Sequence, residues 1–249
     1  GRLPVNMKFI IEGEEEIGST HLDGFVRDRK EDLAADVLVI SDSPMFDRGV
    51  PSLCYGLRGL AYFQIDLRGT SRDLHSGSFG GAVANPCFVL SQVLSKMKDR
   101  GGRVKIPGFY DDVRPLRDEE REAFARLPFN ERQYRTDLGA PKLFGERDYT
   151  TLERVWARPT FEVNGLLSGF TGDGAKTVIP AVAMAKVSMR LVPDQQPDTV
   201  AELFETYLKK VTPNTVTLEV TRLHVGKPWM TEFDNPFVKA AGRAIDRGF

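Results

Sequence analysis

The sequence predicts an α/β protein interrupted by an inserted α+β block with an antiparallel sheet. Three observations predict it. Two mostly apolar runs, Val5 to Ile11 and Asp36 to Ser41 ("DVLVIS"), flank a helical stretch from Ser19 to about Arg29, the pattern of a βαβ unit. In "GLAYFQIDLRGT" the pattern changes to alternation, with Ala61, Phe63, Ile65 and Leu67 against Leu60, Tyr62, Gln64 and Asp66, as in a half-buried antiparallel strand. A helical pattern from about Asn235 then ends the chain. The expected boundaries are a first α/β part at 1–57, an inserted domain at 58–228 and a return to the first part at 229–249.

Taken in order, each element has a local reason. Val5 to Ile11 is broken only by Asn6 and Lys8, so it reads as a strand buried towards its end. Ser19 or Thr20 supplies an N-cap for the helix that follows. Gly81 to Lys98 is amphipathic and reads as a helix. Residues 100–158 are rich in Arg and Glu with scattered Pro and Gly, which predicts short surface helices and loops. Strand patterns return at 160–167 and 182–192, a helix at Val200 to Lys210 and a strand at Thr215 to Arg222.

Composition narrows the function classes. The 249 residues are 41% hydrophobic and 28% charged, ordinary for a globular protein with a real core. A net charge of −1 gives no electrostatic case for nucleic acid or an anionic membrane as partner. No apolar run approaches the roughly 18 residues that a membrane span requires. Cys54 and Cys87 stand in apolar surroundings, which predicts two buried thiols in a reducing compartment rather than a disulfide or a zinc ribbon. The chain opens almost at once on an apolar strand pattern and stops as a helix finishes, so the expectation is an internal piece of a longer protein.

The most unusual stretch is "KFIIEGEEEIGS". Glu12, Glu14, Glu15 and Glu16 crowd the end of the first strand pattern, bracketed by Gly13 and Gly18. Acids at a helix start interact well with its dipole, which is one reading. The other is a cation site beyond the carboxyl end of a strand, where α/β sheets place their sites. Asp42 in "VISDS" occupies the corresponding position after the next strand and is either a turn aspartate or a second carboxylate for a hard or borderline ion. His75, in "RDLHSGSFGG", is placed in a loop among small residues, where core packing does not account for it. Thr177 in "GAKTVIP", Arg190 in "MRLVPD" and His224 in "HVGKPW" are polar groups near strands; on one sheet they can grip a carboxylate. Each of these is also readable as an ordinary solvated residue.

Together and in order, "EGEEEIGS", "VISDS", "YGLRG", "DLHSGSFGG", "GAKTVIP", "MRLVPD" and "HVGKPW" resemble the M20 family of metallopeptidases, in the branch of non-specific dipeptidases and carnosinases. The resemblance covers nearly the whole chain. It implies a catalytic α/β domain of the zinc-exopeptidase type, an inserted lid domain that forms a homodimer, and a cytoplasmic hydrolase of dipeptides or short peptides. It implies two divalent metal ions per subunit, zinc or manganese. Glu15 resembles the general base, Glu16 a ligand of one metal and Asp42 a ligand of the other. His75 resembles the lid histidine that reaches the partner subunit's active site. Thr177, Arg190 and His224 resemble substrate-holding residues, with Arg190 on the C-terminal carboxylate. The family uses two histidines and three carboxylates as ligands; this chain carries matches to two of the five. His21 matches no ligand position and reads as a surface residue. Two other functions stay open: removal of an acyl group from an amino acid on the same scaffold, and a non-catalytic dimerisation or binding module.

Overall fold

A computed structural model describes residues 4–42, 44–232 and 234–249. Its elements, in chain order, begin with a one-turn 3-10 helix, Glu15–Ile17, and α1 (Leu22–Asp28). There follow β1 (Gly56–Leu57), β2 (Gly59–Arg68), β3 (Leu74–His75), α2 (Ser76–Phe79), α3 (Pro86–Ser95), α4 (Asp118–Ala125), α5 (Glu131–Asp137) and α6 (Thr151–Ala157). The rest are β4 (Thr160–Ser168), β5 (Val178–Ile179), β6 (Val182–Leu191), α7 (Pro197–Val211), β7 (Thr217–Gly226), β8 (Trp229–Met230) and α8 (Pro236–Gly248). The chain is a mixed α/β protein that divides into two units, one of Gly1–Leu53 with Asp234–Phe249 and one of Cys54–Phe233.

The larger unit is built on an antiparallel sheet of order β4-β6-β2-β7. The alternation in β2 sets its two faces. Ala61, Phe63, Ile65 and Leu67 are fully buried, as are Ala185, Val187, Met189 and Leu191 of β6. Helices α3 and α7 cover this face. In α7, Val200, Ala201, Phe204 and Leu208 recur at helical spacing and all are buried. Phe204 packs against Phe63 with ring centroids 4.8 Å apart. Burial of each such side chain is worth about 1.5–3 kcal/mol, so the contact between β2 and α7 anchors the unit. Helix α3 starts at Pro86 rather than Gly81, because Asn85 caps it by accepting from the Cys87 N–H and Pro86 fits the first helical position.

The charged segment 100–158 is pinned by buried ion pairs. Glu120 is 0% exposed and accepts both terminal nitrogens of Arg114, the Tyr55 hydroxyl and the Arg117 N–H. Arg114 also reaches the Met230 sulfur, and Thr231 donates to the Tyr55 carbonyl at 2.8 Å. This cluster therefore grips the β1–β8 pair, in which Gly56 faces Met230 and Leu57 faces Trp229.

The smaller unit departs from expectation. Neither Val5 to Ile11 nor Asp36 to Ser41 is a strand among the described residues; neither joins a ladder. A strand needs a hydrogen-bonded neighbour, and the two runs do not pair with each other. Their apolar side chains are consequently open, Phe9 at 79% and Ile11 at 94% exposure. The expected βαβ unit thus contributes only its helix. That helix starts at Leu22 with His21 before it, since Gly18 and Ser19 turn the backbone through positive φ and neither Ser19 nor Thr20 caps it. Ser43, the last residue of "VISDS", lies outside the described residues. The two thiols are free and not both buried: Cys54 is exposed and Cys87 half-buried.

Candidate functional site

Glu15 and Glu16 lie in the 3-10 turn, and both are exposed. Neither they nor the exposed Asp42 makes a side-chain hydrogen bond or ion pair among the described residues. Glu14, by contrast, has a partner: His21 Nδ1 meets its carboxylate at 2.9 Å. That hydrogen bond, with the imidazole's charge adding to it, lowers the Glu14 pKa. No group of three or more His, Cys, Asp or Glu side chains suited to a metal ion forms among the described residues. Glu16 and Asp42 have the chemistry of hard-ion donors, but two carboxylates fall short of the ligand count of a closed site. The residues present therefore do not fit a complete metal centre.

His75 stands on β3, not in a loop, opposite Val178 of β5. The short β3–β5 sheet is fastened by the Ser76 N–H to the Thr177 carbonyl (3.0 Å) and by the Ala181 N–H to Asp73 Oδ1 (2.8 Å). Its histidine is held at both ring nitrogens. Nδ1 accepts from the Gly77 N–H at 3.0 Å, and Nε2 lies 3.1 Å from Thr177 Oγ1. An Nδ1 that accepts leaves the proton of the neutral ring on Nε2, so His75 presents an N–H donor through Nε2. Gly77 is needed there, because a Cβ would meet the His75 ring at 2.8 Å. In this structure that donor is given to Thr177 Oγ1; a developing oxyanion that took the place of the Thr177 hydroxyl would meet the same fixed N–H.

Arg190 is exposed between the fully buried Met189 and Leu191, on the sheet face opposite the helices. It faces Leu60 on β2 and Thr160 on β4. One row further on, Ser188, Tyr62 and His224 align across β6, β2 and β7. His224 is therefore within a strand, not after one, and shares the open face with Arg190. Thr177 does not stand on this sheet. It belongs with His75, whose short sheet joins the far end of β6 through Pro180 and Ala181; there the Gly69 N–H holds the Ala181 carbonyl at 2.9 Å. β6 is 10 residues long, so about 33 Å separates its two ends.

Arg58, in the "YGLRG" stretch, was given no role by the sequence. Burial pushes its guanidinium pKa down, and the positive charge of Arg190 adds to the effect. The one signal in sequence was position: Arg58, Leu60 and Tyr62 share the phase of alternation that leads to the open face.

The M20 peptidase dimerisation domain matches residues 55–216. The chain belongs to this family. Human Beta-Ala-His dipeptidase is 34% identical over 251 residues, covering 98% of this chain and 49% of that protein. The Cys-Gly metallodipeptidase of Candida albicans is 36% identical over 252 residues, covering 98% of this chain and 52% of its own length. An M20 family metallo-carboxypeptidase from Sulfolobus solfataricus superposes with a TM-score of 0.82 at 33% identity, over 92% of this chain and 59% of the other. The chain spans about half the length of the curated relatives it matches. In this M20 chain, no helix among the described residues is long and apolar enough to cross a membrane.

Proposed function

We propose that this chain serves the hydrolysis of the amide bond of dipeptides, as part of an M20 metallopeptidase that works as a homodimer. The observation that carries the reading is the separation of two polar sets in a chain of the dimerisation-domain family. His75 and Thr177 are rooted at one end of β6, and Arg190 and His224 at the other. A dipeptide is only about 7 Å long and cannot bridge the roughly 20–26 Å of strand from Val182 to the Ser188 and Arg190 rows. Two copies of the chain remove the difficulty, with the His75–Thr177 pair of one completing the Arg190–His224 face of the other.

In this reading Arg190 takes the substrate's C-terminal carboxylate, His224 and Thr177 orient the substrate, and His75 donates Nε2–H to the oxyanion. Glu15 takes the proton of the attacking water and passes it to the leaving amine. Divalent metal dependence belongs to the same reading and is supported by the metallopeptidase relatives; two ions per subunit, zinc or manganese as the ion, and the cytoplasm as compartment are what the motif resemblance implies. Glu16 and Asp42 are the ligands it assigns to this chain. The inserted domain at 58–228 is its lid.

This chain carries only part of the ligand set, so the test is a panel of dipeptides against N-acyl amino acids, assayed for amine release by the metal-loaded full-length protein that contains it. Cleavage of dipeptides is expected. Cleavage of acyl amino acids alone would replace the reading with a deacylase, and no cleavage of either would leave a non-catalytic module.

A further inference from the structure

Arg58 and Arg190 lie near enough for the charge of one to act on the other. Arg58 immediately precedes β2, whose first pairs are Gly59 with Leu191 and Leu60 with Arg190. Continuing that register makes Arg58 and Arg190 diagonal neighbours, roughly 7–8 Å apart at Cα, within reach of two long side chains. Neither makes an ion pair or side-chain hydrogen bond among the described residues. Glu162, on the neighbouring strand β4, is engaged with Lys98 at 2.7 Å. The backbone that carries Arg58 is fixed. A Cβ on Gly59 would come within 2.6 Å of the Gly226 carbonyl oxygen and the Pro228 nitrogen. Like charges held close, with Arg58 half-buried and Arg190 exposed, favour an anion between them, and a planar fork suits a carboxylate.

We propose that Arg58 and Arg190 form a two-guanidinium clamp for the C-terminal carboxylate of a peptide substrate, with Arg58 a binding residue alongside Arg190. The clamp rests on the dipeptidase reading only for the identity of its ligand. It makes Arg58 a specificity residue that separates peptides with a free carboxylate from those whose end is blocked.

The test has a binding arm and a kinetic arm. In the binding arm, chelated, isotope-labelled protein is titrated with a dipeptide, with its C-terminal amide and with inorganic phosphate, and the Nε–H resonances of both arginines are followed. The dipeptide should shift Arg58 and Arg190 with one common dissociation constant, and the amide should shift neither. In the kinetic arm, Arg58→Gln should raise KM for the free dipeptide about ten- to hundredfold, the loss of charge-assisted hydrogen bonds, with little effect on the amide. Arg58→Lys should recover only part, because an ammonium lacks the fork. An Arg58 resonance unmoved by the dipeptide, an equal response to phosphate, or equal KM changes on dipeptide and amide would overturn the clamp. If both resonances shift as expected while no dipeptide is cleaved, the clamp stands and the dipeptidase reading fails. If dipeptides are cleaved while Arg58 stays silent, only the clamp fails.

Discussion

His75 and Thr177 are 102 residues apart in sequence, and their side chains meet at 3.1 Å. The contact fixes a ring whose other nitrogen is already occupied by the Gly77 N–H at 3.0 Å. The ring is thus exposed but bonded at both nitrogens, so its Nε2–H reaches another acceptor only where Thr177 Oγ1 gives way.

If His75 acts across a dimer, two defective variants should repair each other. In a mixed dimer of His75→Ala and Arg190→Ala chains, one site carries both defects and the other carries neither. Random exchange of subunits makes half the dimers mixed, so activity should recover to about a quarter of that of the intact protein, from near zero for either variant. Rates measured before and after subunit exchange check this. No recovery would place His75 and Arg190 at the same site of one chain and remove the case for action in trans.

Glu15 offers a test that separates chemistry from stability. It is exposed and makes no side-chain contact among the described residues. Glu15→Gln should therefore leave the thermal midpoint unchanged while turnover falls by about 10²–10⁴-fold, the usual contribution of a positioned general base. A variant that retained turnover would remove Glu15 from the base role.

The larger unit was legible in sequence because its faces obey the two simple periods. Alternation put Phe63 and Ile65 on the buried side of β2, and helical spacing put Phe204 and Leu208 on the buried side of α7. The smaller unit was misread for a related reason. An apolar run such as "VLVI" predicts a strand only through the neighbours it pairs with, and none pairs with it among the described residues. The sequence offered candidate residues one by one but not their groupings. Thr177 meets His75 rather than Arg190, because the β3–β5 pairing decides this meeting, and no local pattern encodes it.

Acid should loosen the grip on the β1–β8 pair through Glu120. Burial pushes its carboxyl upward, but the Arg114 guanidinium, the Arg117 N–H and the Tyr55 hydroxyl outweigh burial and lower it from 4.5 to about 2. A carboxyl depressed on folding stabilises the fold above its unfolded value near 4.5 and loses that contribution as pH falls through about 2. The amount at stake is roughly 3 kcal/mol. Urea midpoints should thus fall between pH 5 and pH 2 by more than in a Glu120→Gln variant. That variant should itself be destabilised near neutral pH by about 3–5 kcal/mol, since it leaves the Arg114 charge without its counterion. Parallel pH profiles for the two proteins would show that Glu120 does not carry the effect.

Gly59 sits where β2 passes under the turn that links β7 to β8. A methyl group there would stand 2.6 Å from both the Gly226 oxygen and the Pro228 nitrogen, and backbone atoms cannot swing aside as a side-chain end can. Gly59→Ala should therefore cost about 1–3 kcal/mol of stability, the usual penalty of overpacking. The backbone relieved in this way is the segment that aims Arg58 at Arg190. The same substitution should weaken discrimination between free and amidated dipeptides while leaving the hydrogen exchange of α7 protected. Denaturation midpoints, the ratio of kcat/KM for the two substrates and exchange rates in α7 measure the three effects. A stable Gly59→Ala protein with intact discrimination would show that the tight passage at this turn is not what holds Arg58 in place.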